Sequence, residues 1–272
     1  MTLEVTILGC GSSGGVPRLG GTDGRGFWGA CDPAHPRNRR RRCSLLVRRK
    51  SAAGTTQLLV DTSPDMRDQL LDAGVSTLDA VLITHNHADQ LHGIDDLRMI
   101  AINMRKRVDV WSDASAFEGI LSRFAYCFVQ APGSEYPAVL NAHTLEEPFC
   151  DTAMGGAGGD IPVLAFRQGH GGIHSLGFRF GPIAYSSDVH ELDGDAFAAL
   201  AGVKIWIVDA LRYTPHPTHS HVERTLGWIA HVKPEHAIIT NMHVDIDYET
   251  LKAELPPSVE PAYDGMVLSV EL

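Results

Sequence analysis

Apolar and polar positions change period along the chain in a way that separates strands from helices. Leu3–Leu8 alternates, while Cys43–Arg48 and Gln57–Asp61 are short runs rich in Leu and Val, the pattern of strands near a sheet centre. Ser63-Pro64 predicts a helix start, because Ser can take up free amides and proline at the first helical position forfeits no hydrogen bond. That helix runs to about Gly74, and Ala80–Thr84 follows as a buried strand. Further strands are predicted at Pro162–Arg167, Gly177–Phe180, Ile183–Ser186, Ile205–Asp209, Ala237–Thr240 and Met266–Val270, with helices near 115–129, 193–201, 221–232 and 247–255. Ser220-x-x-Glu223 has the form of a capping box, which starts a helix there and leaves His219 in the loop at its positive end. The Arg-rich stretch 37–42 and the glycine-rich Met154–Asp160 are short enough to be loops. Strands with helices between them give an α/β class, sheets packed together with helices outside. No repeat or long linker interrupts residues 1–272, so a single domain is expected.

Composition narrows the function classes. The 272 residues are 44% hydrophobic, enough for a sizeable core. Lys and Arg number 23 against 33 Asp and Glu, a net charge of -10, which argues against coating a large nucleic acid by bulk electrostatics. An anionic substrate must therefore meet a local patch. The five cysteines contain no Cys-x-x-Cys pair, which argues against a disulfide scaffold or a cysteine-built zinc ribbon and fits a reducing compartment. Met1-Thr2-Leu3-Glu4 carries an acid where a signal peptide needs bases, and no apolar stretch reaches the ~18 residues of a membrane span. A cytoplasmic protein with no membrane partner is expected.

The chemistry concentrates at strand ends. Thr84-His85-Asn86-His87-Ala88-Asp89-Gln90 directly follows a predicted strand. Two histidines two apart can point to one side, and Asp89 can fold back after a turn. Imidazole nitrogen and carboxylate oxygen are ligands for a borderline cation such as zinc or manganese. A polar surface loop is the plainer reading of that segment alone. However, His170, Asp188 and His243 also lie just past predicted strand ends, so all can converge on the rim where open α/β proteins place their sites. Asp61, ending another buried strand, suits orienting the histidine loop better than ligating a metal. Arg37 and Arg39 to Arg42 form the one dense basic run, and guanidinium forks suit phosphate oxygens. Most of that run is expected on a solvated face, with Arg42, nearest a strand, as the candidate substrate contact. The glycine loop before it, with Ser12 and Ser13, offers amides and hydroxyls to an anion. Gly9-x-Gly11-x-x-Gly14 also fits the dinucleotide fingerprint, but Val16-Pro17 and more glycines stand where a helix should open, which rules against it.

In order, His85-x-His87-x-Asp89, His170, Asp188 and His243 resemble the metallo-β-lactamase fold superfamily, over nearly the whole chain. Leu8 through Pro17, Arg42-Cys43-Ser44, Tyr185-Ser186-Ser187-Asp188 and Tyr263-Asp264-Gly265-Met266 are similar to the branch containing the phosphoribosyl cyclic phosphodiesterase of phosphonate breakdown. The resemblance implies a four-layer αββα sandwich binding one or two divalent ions, zinc or manganese. His85, His87 and His170 would hold the first, Asp188 would bridge, and Asp89, Asp188 and His243 would hold the second. Such a pair, roughly 3.5–4 Å apart, activates water and offsets phosphodiester charge together. Asp89 thereby joins the catalytic residues, and His219 resembles the family histidine that steadies phosphate charge or protonates the leaving oxygen. A homodimer is expected by analogy with relatives.

Two departures qualify the transfer. Gln90 replaces a histidine usual in the family, and its amide oxygen is a weaker ligand for zinc, so the second site should be looser or favour a harder ion. His92, at the start of the next helix, is the only nearby substitute. Only Cys31 lies where the phosphodiesterase relative clusters cysteines around a structural zinc, so no such zinc is expected. The reading is a metal-dependent hydrolase of a small sugar or nucleotide phosphodiester, cyclic or not. Alternatives within the fold are a hydrolase of another ester, thioester or lactam, or a metal-binding protein whose second site Gln90 has disabled. A tRNA-processing nuclease is disfavoured by the charge and the missing basic arm.

Overall fold

The computed structural model describes residues 1–272, which divide into two compact units. The first comprises Met1–Leu8, Ser44–Ile161 and Val267–Leu272, and the second Gly9–Cys43 and Pro162–Met266. Each is assembled from segments far apart in sequence.

In the first unit the elements are β1 (Thr2–Gly9), β2 (Ser44–Ser51), β3 (Gly54–Val60), α1 (Met66–Asp72), β4 (Ala80–Leu82), α2 (Ala88–Leu91), α3 (Leu97–Met104), β5 (Val108–Ser112), α4 (Ala114–Phe128), β6 (Leu140–Thr144) and the short β7 (Thr152–Met154). The sheet order is β14-β1-β2-β3-β4-β5-β6, where β14 is Met266–Glu271. β2 and β3 form an antiparallel hairpin, and β3 through β6 run parallel. Parallel strands need both faces covered, and Leu58, Leu59, Val60, Val81 and Leu82 are all fully buried. α4 begins at Asp113, whose carboxylate takes the Ala116 amide proton, and buries Phe117, Ile120, Cys127 and Phe128. Asp113 thus satisfies one of the amides that a helix start leaves over.

The second unit holds β8 (Ile161–His170), β9 (Ile173–Phe180), β10 (Ile183–Ser186), α5 (Gly194–Leu200), β11 (Ile205–Asp209), α6 (Val222–Val232), β12 (His236–Thr240), α7 (Tyr248–Glu254) and β13 (Val259–Pro261). Its strands lie in the order β13-β12-β11-β10-β9-β8. β8, β9 and β10 alternate in direction, then β10 to β13 run parallel. β8 therefore points the same way as β10, β11 and β12, and their C-terminal ends deliver His170, Asp188, Asp209 and His243. Asp193 and Asp247 cap α5 and α7 through the amides of Ala196 and Thr250.

Several sequence expectations need correction. α1 opens at Met66 rather than at Ser63-Pro64, because the Ser63 hydroxyl is used in a local turn, accepting from the Asp65 amide and donating to Gln69. The α6 cap position is His221 rather than Ser220. The Ser220 hydroxyl instead pairs with Thr225, whose own hydroxyl donates to the Asp209 carbonyl. β5, β6, β7 and β13 were not anticipated: β6 reads Leu-Asn-Ala-His-Thr, poor in the residues that mark strands, and β13 contains Pro261, tolerated because β13 is an edge. No helix is long and apolar enough to cross a membrane.

Of the arginine run only Arg39 is exposed; the others are half-buried or buried. Arg40 is 1% exposed and donates to the His243 carbonyl and to Asn38. The Arg37 guanidinium lies over the rings of Tyr248 and Tyr263 at 4.9 and 4.3 Å, and Arg39 lies over Trp28 at 5.4 Å. The Arg41 amide and Nε both donate to Asp264, at 2.8 and 3.2 Å.

In the first unit, a Cβ at Gly93 would overlap the Ser63 carbonyl oxygen, and a backbone atom in a packed turn cannot step aside. Gly93→Ala should destabilise the protein by about 3 kcal/mol, the upper range for overpacking. Urea denaturation monitored by tryptophan fluorescence checks this.

Candidate metal centre

The histidine segment of the first unit is held from beneath by a buried carboxylate. Asp61 follows β3 in the left-handed region, at φ 63°, which Asp tolerates better than most side chains. Its Oδ1 accepts the Thr84 amide at 2.8 Å, and both carboxylate oxygens lie 3.0 Å from the Thr84 hydroxyl. That hydroxyl is also 3.0 Å from His85 Nδ1. With its proton given to the carboxylate, the hydroxyl oxygen accepts from Nδ1–H, leaving the His85 Nε2 lone pair for a cation. His85 is buried and its ring meets that of His87 edge-on, with centroids 4.5 Å apart. His87 is exposed at the N-cap of α2, and Asp89 is half-buried in its first turn. Gln90 is wholly buried, and its carbonyl takes the Thr62 amide at 2.8 Å. His92 does not begin a helix. It closes α2, exposed, with its ring edge-on to Phe124 at 5.6 Å.

The second unit brings three of the expected residues together. Ligand atoms of His170, Asp188 and His219 all lie within 4.8 Å of one another. His170 Nδ1 donates to the Thr218 carbonyl at 2.7 Å, so its lone pair is on Nε2, which lies 4.0 Å from Asp188 Oδ1. Asp188 is 2% exposed and left-handed at φ 53°, a conformation costing of order 1–3 kcal/mol that persists where the surroundings over-determine it. His219 Nδ1 donates to Asp209 Oδ2 at 2.9 Å. Burial pushes the Asp209 carboxyl up, opposed by the His219 imidazole and the Val189 amide. The His219 nitrogen nearest Asp188, at 3.8 Å, is thus the one Asp209 takes. Burial lowers His216, helped by its neighbour His219, whose ring lies 5.2 Å away. His243 follows β12, with Nδ1 2.9 Å from the Asp245 carboxylate.

These donor sets suit a borderline divalent cation. His85 and His170 each commit Nδ1–H to an oxygen acceptor, the arrangement that presents Nε2 to a metal, and Asp188 adds a buried carboxylate that a cation would neutralise.

The glycine loop has less to offer an anion than its sequence implies. The amides of Gly11, Ser12, Gly15 and Val16 are spent on the carbonyls of Arg41, Met242, Ser12 and Arg40. Ser12 is buried and Ser13 exposed. Arg42 is half-buried, and its guanidinium passes beside Gly15.

Sequence reasoning missed Asp209, Thr84 and the Thr218 carbonyl. For Asp209 a signal was present: Ile207-Val208-Asp209 repeats the form of Leu59-Val60-Asp61, an acid ending a buried strand. A main-chain carbonyl leaves none.

The chain belongs to the family described as the beta-lactamase superfamily domain, which residues 56–242 match. Within it, the chain lies in the PhnP-like branch. A crystal structure of a diphosphatase from the PhnP family is similar at TM-score 0.85 and 28% identity, covering 100% of this chain and 98% of that one. Zinc-bound PqqB from Methylobacterium extorquens is similar at TM-score 0.72 and 17% identity, over 97% and 99% of the two chains, a likeness of fold. A protein of Porphyromonas gingivalis named octanoyltransferase is 30% identical over 267 residues, 97% of this chain. This chain spans about half, 51%, of that relative's length. Family and donor sets together support a metal-dependent hydrolase.

Thr84→Val removes the hydroxyl joining Asp61 to His85 while keeping the side chain's size. Metal affinity, measured by chelator competition, should fall about 10–100-fold, the usual cost of losing such an outer hydrogen bond.

Proposed function

We propose that residues 1–272 act as one hydrolase domain cleaving a small sugar or nucleotide phosphodiester, cyclic or linear, with one or two zinc or manganese ions. The observation carrying this reading is the second unit's cluster of His170, Asp188 and His219 with Asp209 behind it. It joins two donors for a cation to an imidazole whose Nδ1 is tied to a buried carboxylate, an arrangement suited to proton transfer. The PhnP-family diphosphatase, 28% identical across the whole chain, favours a phosphorus ester over other substrates.

In this reading His85, His87, His170 and Asp188 hold the first ion. Asp89, Asp188 and His243 hold the second, to which Gln90 lends at most a weak oxygen. Bound there, the ions would supply Lewis acidity that activates water and offsets phosphodiester charge. Asp61 and the Thr218 carbonyl keep the histidine tautomers ready. His219, its Nδ1–H committed to Asp209, offers Nε2 to the departing oxygen. Asp209 stabilises the imidazolium when that nitrogen is protonated, so His219 can deliver a proton as negative charge develops. Ser12, Ser13 and Arg42 would contact the phosphoryl oxygens.

A second reading, acyl-ester or thioester cleavage, draws on the name of the Porphyromonas relative. Assays with cyclic nucleotides, bis(p-nitrophenyl) phosphate and an octanoyl thioester separate the two. The metal-loaded protein should turn over the phosphodiesters and lose about 100-fold or more in kcat on His219→Ala, within the range for a general acid. His87→Ala should lose bound metal by elemental analysis. Thioester turnover alone, or His87→Ala with unchanged metal and rate, would overturn the reading.

A further inference from the structure

We propose that Asp264 is a positioning residue for substrate, pinning the glycine loop and the arginine run in the register that presents Arg42 to a phosphodiester. The proposal rests on the phosphodiesterase reading above and assigns that site a part lying outside its metal ligands.

Four donors from two segments converge on this one carboxylate. Oδ1 accepts the Cys10 amide at 3.2 Å and the Cys10 thiol at 3.4 Å, while Oδ2 accepts the Arg41 amide at 2.8 Å and Arg41 Nε at 3.2 Å. Beyond this tie the two segments lie side by side. Gly11 donates to the Arg41 carbonyl, and Val16 and Arg40 exchange both backbone hydrogen bonds at 2.9 Å. Their approach is close enough that a Cβ on Gly11 would sit 2.9 Å from the Arg40 Cβ. On its other edge the loop is bonded to Met242, next to His243, through Met242 N to the Cys10 carbonyl and Ser12 N to the Met242 carbonyl. Cys10 and Arg41 thus tie the two paired segments to one carboxylate, and the half-buried Arg42 stands next to the tie. Tyr263 holds the opposite end of the arginine run through the ring contact with Arg37.

The four donors hold this carboxylate against the cost of burying it. Burial pushes the Asp264 carboxyl up to about 6, against the pull of Arg41 and Cys10, so at neutral pH the fold carries an ionised group that burial disfavours. A carboxylate offers two equivalent acceptors to two pairs of donors, whereas an amide turns an NH2 group toward one pair.

The test is Asp264→Asn in the full-length, metal-loaded protein, with bis(p-nitrophenyl) phosphate as substrate and hydrogen exchange read at the Cys10 and Arg41 amides. We expect KM to rise about tenfold, kcat to stay within about threefold, metal content and the urea midpoint at pH 8 to hold, and exchange at both amides to accelerate. Arg41→Gln, which removes the guanidinium and its charge but keeps the main-chain amide, should show a smaller KM rise and serves if Asp264→Asn does not fold. Unchanged KM and unchanged exchange in a folded variant overturn the proposal, as does a loss of kcat that tracks a loss of folded protein. If the wild-type protein cleaves no phosphodiester, the parent reading fails, and hydrogen exchange still decides whether Asp264 fixes the loop.

Titration gives a separate expectation for the same carboxyl. Its folded pKa of about 6 exceeds the unfolded value of ~3.9, so the folded state binds the proton more tightly and gains stability as pH falls through 6. The urea midpoint of wild type relative to Asp264→Asn should therefore rise between pH 8 and pH 5, and an unchanged difference would contradict the shift.

Discussion

In each unit the histidine chemistry depends on a hydrogen bond that fixes which nitrogen of the ring carries the proton. An imidazole can bind a cation or a substrate through one nitrogen only when the other is committed to donating. Here the commitment is made three times with three kinds of acceptor: the Thr84 hydroxyl backed by Asp61, the Thr218 carbonyl, and the Asp209 carboxylate. Where the acceptor is neutral or shared, the outer nitrogen is suited to a cation. Where it is a full buried carboxylate, the ring is suited to becoming charged and surrendering a proton.

The scaffold supplies those acceptors by running apolar strands to their ends and placing one acid there. Asp61 ends the hydrophobic run of β3, and Asp209 ends β11. Both are wholly buried, where an unpaired carboxylate would be costly. Each is accommodated by donors from the next loop, so the burial that forms the sheet also fixes the loop that carries the histidine. The left-handed turns at Asp61 in the first unit and at Asp188 and Asn241 in the second show the same constraint in the backbone, the chain leaving each strand sharply.

Much of this was legible from residue order. The strands delivering His85, His170, Asp188 and His243 show as apolar runs, and the histidine spacing points to a metal before any geometry is known. What stayed hidden was the identity of partners. A threonine between an acid and a histidine looks like any strand residue, and a carbonyl has no letter of its own. The arginine run misled for a related reason. Charge density in a sequence suggests solvent, yet Arg40 is enclosed and Arg37 is sandwiched against two tyrosines, because their acceptors and rings come from residues some two hundred positions later.

Thr218 and His219 are adjacent, and they serve different masters. The carbonyl of one sets the tautomer of His170, and the side chain of the other rests on Asp209. A single peptide unit therefore joins the supports of His170 and His219 in the second unit's cluster. Drift in this loop cannot shift one of these two contacts alone, so inherited changes here would have to arrive in compensating groups.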